Sequence, residues 1–157
     1  MKTSIEKRIM NYLTDSFGIV HHARYFEVME EGRWLYCYEN QLVEPFLKMG
    51  IYHVVVNINI NYKGSARFGD LIIIETEVFR VTEKSVIFRQ VVSRDDQRLI
   101  IADITNVFLR RADKSVITAI ELGMFWHDLL MDKNTTLPRS ETNFEITAQL
   151  QKIPTCW

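Results

Sequence analysis

Along Ile51–Tyr62 apolar and polar side chains alternate with a period of two. Val54, Val56, Ile58, Ile60 and Tyr62 fall on one side, and Asn57, Asn59 and Asn61 on the other. That spacing predicts a half-buried strand. Residues 63–69 read as a turn, and residues 70–81 are rich in β-branched side chains, which predicts a second strand. Glu83 and Lys84 mark a tight turn into a strand over 85–93, and Asp95 and Asp96 mark another into a strand over 98–111. Short turns between successive strands predict antiparallel hairpins.

Ahead of this meander the period changes. Over residues 23–39, His22, Tyr25, Phe26, Met29, Arg33, Tyr36 and Cys37 recur at helical spacing on one face. Gly32 sits inside this helix, where glycine costs roughly 1 kcal/mol against alanine; close approach of the helix to a sheet accounts for it. Residues 6–13 alternate weakly and predict a first strand, and residues 14–22 form a loop containing Gly18. One strand, one helix and then a meander make an α+β plan, with the helix covering one face of an antiparallel sheet. Towards the C-terminus, Leu122, Phe125, Trp126, Leu129 and Leu130 predict a short amphipathic helix. A polar loop follows over 133–142. Alternation of Phe144, Ile146, Ala148 and Leu150 with polar residues then predicts an added strand. Residues 1–131 read as one domain and 132–157 as an extension of it.

The chain has 157 residues, room for one domain, with 47% hydrophobic and 25% charged residues, the balance of a soluble globular protein. A net charge of −1 gives no reason to expect nucleic acid or an anionic membrane as a partner. Cys37 and Cys156 are far apart and in no CxxC pattern, which argues against a disulfide scaffold and a zinc knuckle. The charged N-terminal residues lack the apolar core of a signal peptide, and no apolar run approaches the ~20 residues of a membrane helix. A cytoplasmic protein is expected.

The richest chemistry lies in the loop before the helix. Asp15 precedes a histidine pair, His21 and His22, that opens the helix. The first turn of a helix offers unsatisfied N–H groups and a positive dipole end. Such donors polarise a carbonyl whose oxygen gains charge during acyl transfer. A nearby carboxylate acts as general base on water or attacks the carbonyl itself. The Thr14-Asp15-Ser16 context equally suits a plain turn. A metal pair is disfavoured, because adjacent histidines at a helix start are expected to point apart and no third ligand has suitable spacing. Cys37 reads as an ordinary buried thiol. No phosphate-binding glycine loop or GxSxG elbow is present.

The segment Asp15-Ser16-Phe17-Gly18-Ile19-Val20-His21-His22-Ala23-Arg24-Tyr25-Phe26 resembles the signature of hotdog-fold thioesterases of the 4-hydroxybenzoyl-CoA type, D-x-x-G-x-V-x-[HY]-x-x-Y. Glu30-Glu31-Gly32-Arg33-Trp34 is similar to that family's E-x-A-R-W helix, and Ser65-Ala66-Arg67-Phe68-Gly69-Asp70 to its P-A-R-x-G-D turn. The run from Val54 to Tyr62 resembles the bacterial long-chain acyl-CoA thioesterase branch especially closely. The resemblance covers roughly residues 9–109 in the expected order. It departs from the family at Ser65, where proline is usual, and at Gly32, where alanine is usual. Arg24 agrees with the long-chain branch, and the region after Ile117 is longer than the family core.

The resemblance implies a long helix wrapped by a curved antiparallel sheet of five or more strands, and a homo-oligomer, dimer or tetramer, with active sites between protomers. It implies that Asp15 is the catalytic carboxylate and that His22 stands where a backbone N–H, and in part of the family the side chain, acts on the thioester carbonyl. Gly18, Val20, His21 and Tyr25 belong to the implied substrate-binding loop. Lys63, Arg67 and Arg89 are candidates for the nucleotide phosphates of an acyl-CoA, and each also reads as plain surface charge. No cofactor and no metal are expected. The expected activity is hydrolysis of a fatty or aryl acyl-CoA. A carrier-protein thioesterase and a non-catalytic acyl-binding protein are the alternatives, and a dehydratase ranks below them because its acid sits elsewhere.

Overall fold

The structure is a computed structural model, and it describes residues 1–118 and 121–122. Six strands, β1 (Lys2–Arg8), β2 (Ile51–Tyr62), β3 (Leu71–Val81), β4 (Val86–Arg94), β5 (Gln97–Arg110) and β6 (Val116–Ile117), form one sheet. The order is β1-β3-β4-β5-β2, with β6 added against β5, and every pairing is antiparallel. Two helices, α1 (Arg24–Glu39) and α2 (Val43–Lys48), lie between β1 and β2 in the chain. This is the hotdog architecture, α+β, as expected. The short α2 and β6 were not anticipated. The expected helix beyond Leu122 and the expected strand over 144–150 lie outside the described residues, as does the proposed boundary at 131.

The first strand is displaced from its expected place at 6–13. β1 ends at Arg8, opposite Leu71, and Asn11–Leu13 is a single 3-10 turn. The pattern over Lys2–Arg8 is hard to read because β1 is an edge strand. Thr3 is buried, while Lys2, Ser4, Glu6 and Arg8 face water, and charge on an edge blocks unwanted pairing.

β2 carries a second difference. Its register against β5 slips between Val55 and Asn57, a bulge that adds one residue. One extra residue reverses which side chains face inward. Ahead of the bulge, His53 lies opposite Phe108 and Val55 opposite Asn106; after it, Ile58 faces Ile104 and Ile60 faces Ala102. Val56, Ile58 and Ile60 are half-buried on one side, as the alternation predicts, and Val55 is exposed; ahead of the bulge it is His53 that packs against Phe108 and Trp34. Asn57, Asn59 and Asn61 are exposed on the opposite face.

The buried stripe of α1 is Tyr25, Val28, Met29, Gly32, Arg33, Tyr36 and Cys37. Phe26, placed on this face by its spacing, is only half-buried at its flank, and His22 is exposed. Near the helix start Tyr25, Val28 and Met29 pack with Ile72, Ile74, Val92, Ile100 and Ile104; near its end Tyr36 and Cys37 pack with Val78, Phe88 and Phe108. Burial pushes the Cys37 thiol up to about 11, which fits the expected inert thiol.

Between the two clusters runs a polar seam. Gln90, fully buried on β4, donates to the Met29 carbonyl and to Thr76 Oγ1, both at 2.8 Å, and accepts from Arg33 Nη1 at 2.8 Å. The helix comes close enough at Gly32 that a Cβ there would meet Thr76 Oγ1 at 2.9 Å and Gln90 Nε2 at 3.0 Å. The sequence explanation for Gly32 thus holds.

Candidate active site

Asp15 sits in a tight loop closed by its own backbone. Its N–H donates to the Ile19 carbonyl at 2.9 Å, and its carbonyl accepts the Gly18 N–H at 3.0 Å. Gly18 has φ +71°, a conformation that glycine adopts without a Cβ penalty. The carboxylate accepts the Phe17 N–H on Oδ1 at 2.8 Å. Asp15 is thus a turn residue by its geometry. Its second carboxylate oxygen bonds nothing among the described residues, so the turn leaves a lone-pair surface available for chemistry.

The loop is pinned from two sides. Thr14 pairs with Val20 and Ile19 with Arg67 as isolated bridges, and the Val20 N–H donates to the Ala66 carbonyl at 2.9 Å. The Ala66 N–H in turn donates to the hydroxyl of Tyr25 at 3.0 Å. Tyr25 is 2% exposed, and burial raises its pKa, so the hydroxyl stays protonated. The 63–70 turn that carries Ala66 is held by Asp70, whose Oδ2 accepts the Arg67 N–H at 2.8 Å and Arg94 Nη1 at 2.6 Å. The Arg67 N–H, with help from Arg94, holds the Asp70 carboxyl below its ordinary value.

The start of α1 faces this loop. Its N–H groups divide sharply. Val20 donates to Ala66, His21 to the Leu13 carbonyl at 3.0 Å, Ala23 to His21 Nδ1 at 3.2 Å, and Arg24 to the His21 carbonyl at 2.9 Å. Among the described residues the N–H of His22 has no acceptor. It lies one residue before Ala23, the N-cap position, where the helix dipole favours negative charge. An open groove of about 310 Å³ runs beside it, lined by Tyr12, Thr14, His21, Ala23, Arg24 and Glu27. Arg24 is paired with Glu27 at 2.6 Å.

The fold brings Asp15, Gly18, Val20, His21, His22 and Tyr25 together. Arg67 joins them through its bridge to Ile19, and Lys63 lies in the same turn. Arg89 lies elsewhere. Its neighbour Phe88 is buried under the helix, so Arg89 projects from the other face, where its Nε and Nη2 clasp Asp103 at 2.8 and 2.9 Å. Its guanidinium also covers the ring of Phe79 at 3.3 Å. The two histidine rings do not point apart as expected: their centroids are 4.2 Å from each other, tilted by 33°.

A loop carboxylate with a free oxygen, and across the Thr14–Val20 bridge a helix start with an unpaired N–H, are the two features expected for acyl transfer. The family model of the thioesterase superfamily matches residues 17–101. The chain belongs to the thioesterase superfamily. This thioesterase is 34% identical over 109 residues, 69% of its own length and 81% of the relative's, to the long-chain acyl-CoA thioesterase FadM of Escherichia coli. Among solved structures it matches YbaW, a probable thioesterase from Escherichia coli, with a TM-score of 0.73 at 31% identity, covering 82% of this chain and 98% of that one. A DHNA-CoA thioesterase from Staphylococcus aureus shares the fold alone, with a TM-score of 0.73 at 18% identity over 82% and 88% of the two chains.

Beside the Asp15 loop the structure brings in residues that the sequence pattern did not single out. Tyr62, assigned only to a strand, donates its hydroxyl to the His22 carbonyl at 3.2 Å. The Asp70–Arg94 pair, remote in sequence, steadies the turn behind Asp15. A polar tip at the end of an alternating strand is the one signal that marked Tyr62.

Proposed function

We propose that the protein is an acyl-CoA thioesterase in which Asp15 is the catalytic carboxylate and the N–H of His22 stabilises the charge that develops on the thioester oxygen. The observation that carries this reading is the pairing of a carboxylate with a free oxygen and an N–H with no acceptor at the start of α1. The thioester carbonyl would accept the His22 N–H, leaving its carbon open to attack. Asp15 then either takes a proton from a water that adds to the carbon, or adds itself and forms an anhydride that water opens. In both routes the C–S bond breaks, CoA leaves as a thiolate that takes up a proton, and the free acid remains. His22, exposed at the same place, is the second proposed catalytic residue. Gly18, Val20, His21 and Tyr25 shape the loop that receives the thioester. Lys63 and Arg67 are the proposed phosphate contacts, whereas Arg89, engaged by Asp103, would have to leave that pair to join them.

The relative's name supports a fatty acyl chain as the substrate's acyl part. Of the aromatic and apolar residues Phe17, Tyr25, Phe26, Met29 and Trp34 in and after the Asp15 loop, not all are free to line its path. Tyr25 and Met29 belong to the core, while Phe26 is half-buried, and Trp34 and Phe17 are 44% and 83% exposed. The protein is further proposed to act in the cytoplasm as a homo-oligomer, a dimer or tetramer. β2 is a twelve-residue edge strand, and Phe17 and Phe68 stand exposed around the Asp15 loop. A second copy that pairs with the edge would also cover these rings. No helix among the described residues is long and apolar enough to cross a membrane.

The test is a thiol-release screen across acyl-CoA chain lengths and against the matching carrier-protein thioesters, with light scattering on the same preparation. CoA release from fatty acyl-CoA by an oligomer is the expected result. Release from carrier-protein thioesters alone would reassign the donor, and a clean monomer at micromolar concentration would remove the shared site.

A further inference from the structure

The hydroxyl of Tyr62 reaches from the end of β2 to the carbonyl of His22. That carbonyl needs an outside partner. The Phe26 N–H, which a regular helical turn would send to it, goes instead to the Ala23 carbonyl at 3.1 Å, and among the described residues no backbone N–H reaches the His22 oxygen. Without Tyr62 the peptide between His22 and Ala23 keeps only the bond from its own Ala23 N–H to His21 Nδ1, and the peptide between His21 and His22 keeps the bond that its His21 carbonyl accepts from Arg24.

Tyr62 is well placed to hold something still. Its backbone pairs with Ile100 at the end of the β2–β5 ladder, and the next two N–H groups, of Lys63 and Gly64, both bond the Leu99 carbonyl at 2.8 and 3.1 Å. Its ring meets Tyr25 edge-on, with centroids 6.2 Å apart and planes at 61°. Tyr25 is itself fixed by the Ala66 N–H, and Ala66 holds Val20. The chain of contacts from Val20 through Ala66, Tyr25 and Tyr62 to His22 therefore closes around the loop that bears Asp15. Tyr62 is 45% exposed, and partial desolvation moves its pKa up from the ordinary value, so the hydroxyl stays a donor.

From this geometry we infer that Tyr62 is a positioning residue for thioester hydrolysis: by holding the His22 carbonyl it fixes the peptide after His22 and, through the His22 Cα, limits the directions in which the His22 N–H on the preceding peptide meets the substrate oxygen. The inference rests on the proposed role of the His22 N–H and adds a residue to it. Oxyanion donors act only where they point at the developing charge, and a misplacement of about 1 Å in such a site costs on the order of a hundredfold in rate. Loss of one steadying bond should move the donor by less than that. The substrate's chain and nucleotide do not depend on this peptide, so binding should be spared.

The experiment compares wild type, Tyr62→Phe and Asp15→Asn for acyl-CoA hydrolysis. It adds the Kd of a non-hydrolysable thioether analogue of the same acyl-CoA and the mass by light scattering. The expected result for Tyr62→Phe is a kcat lowered by about tenfold, with KM and the analogue Kd within about twofold of wild type and the mass unchanged. A wild-type kcat in Tyr62→Phe, beside an inactive Asp15→Asn, overturns this inference and leaves the reading of the site standing. A loss that appears in KM, or that accompanies a change of mass or failure to fold, shows a structural role for the hydroxyl and overturns it as well. If wild type releases no CoA from any acyl-CoA, the site reading falls and takes this inference with it.

Discussion

A Cβ placed on Gly32 would stand 3.0 Å from Nε2 of Gln90, the amide that ties α1 to the sheet. The space that a methyl needs is already filled by the bonds from Gln90 to Met29 and Thr76. Gly32→Ala gains roughly 0.5–1 kcal/mol of helix propensity and loses about 1–3 kcal/mol by overpacking. A net destabilisation of about 1 kcal/mol is expected, read as a lower urea midpoint with an unchanged slope. A variant as stable as wild type would mean that the seam gives way easily, and the close approach would no longer explain the glycine.

His53 should make stability fall as the solution turns mildly acidic. Burial, and then the Arg33 guanidinium, hold its pKa below 6.5, while Glu30 opposes them weakly. Asn106 Nδ2 lies 3.3 Å from His53 Nδ1, and the rings of Trp34 and Phe108 stand at 5.5 and 5.9 Å. A base with a depressed folded pKa stays neutral in the fold after the unfolded chain has begun to take up protons. The unfolded state thus binds more protons below pH 6.5, and stability declines from there down to the folded pKa. The slope is at most about 1.4 kcal/mol per pH unit. Thermal melts from pH 7.5 to 5 should show this decline in wild type and a shallower one in His53→Gln; parallel curves would acquit His53.

Acyl-chain length should matter to turnover. Each methylene buried adds about 0.8 kcal/mol, close to fourfold in affinity, until the path is full. Phe26 and Trp34 on α1 are the side chains proposed for such a path, since Tyr25 and Met29 belong to the core. Catalytic efficiency should therefore climb from acetyl- towards palmitoyl-CoA and level off. A flat series would place the acyl group in solvent.

The fold was legible where one periodicity ran unbroken. The strands that became β2, β3, β4 and β5, and the helix α1, fall within a residue or two of their expected spans. Legibility failed where a local event reversed or masked the pattern. The bulge at β2 breaks the register between Val55 and Asn57, so that ahead of it His53 packs against Phe108 and Trp34, a shift that alternation alone does not reveal. β1 hid behind edge charges. The candidate site was half-legible: a contiguous loop announces Asp15, Gly18 and the histidines, because those residues are adjacent in the chain. Tyr62 and the Asp70–Arg94 pair enter through the curl of the sheet, and Arg89 leaves through it, since the side-chain direction on β4 depends on register.

Replacing the Asp15 carboxylate by an amide should abolish most turnover while leaving fold and assembly intact. Asp15→Asn is isosteric, so packing barely changes. The turn should survive, because the asparagine Oδ1 can accept the Phe17 N–H as the carboxylate does at 2.8 Å. What goes is the negative charge and the free carboxylate oxygen. An amide neither takes a proton from water nor attacks a carbonyl. The His22 N–H, the groove and the Tyr25–Ala66 brace remain, so the substrate should bind and its carbonyl should still be polarised. The loss should fall on kcat with KM little changed, which marks a group that acts in the transition state. Removing a general base costs 10²–10⁴-fold on typical figures, and removing a nucleophile at least as much. Steady-state kinetics of the purified variant, with its melting temperature and mass measured alongside, decide the matter. A variant that keeps wild-type kcat would return Asp15 to the role its backbone bonds already give it, that of a turn residue.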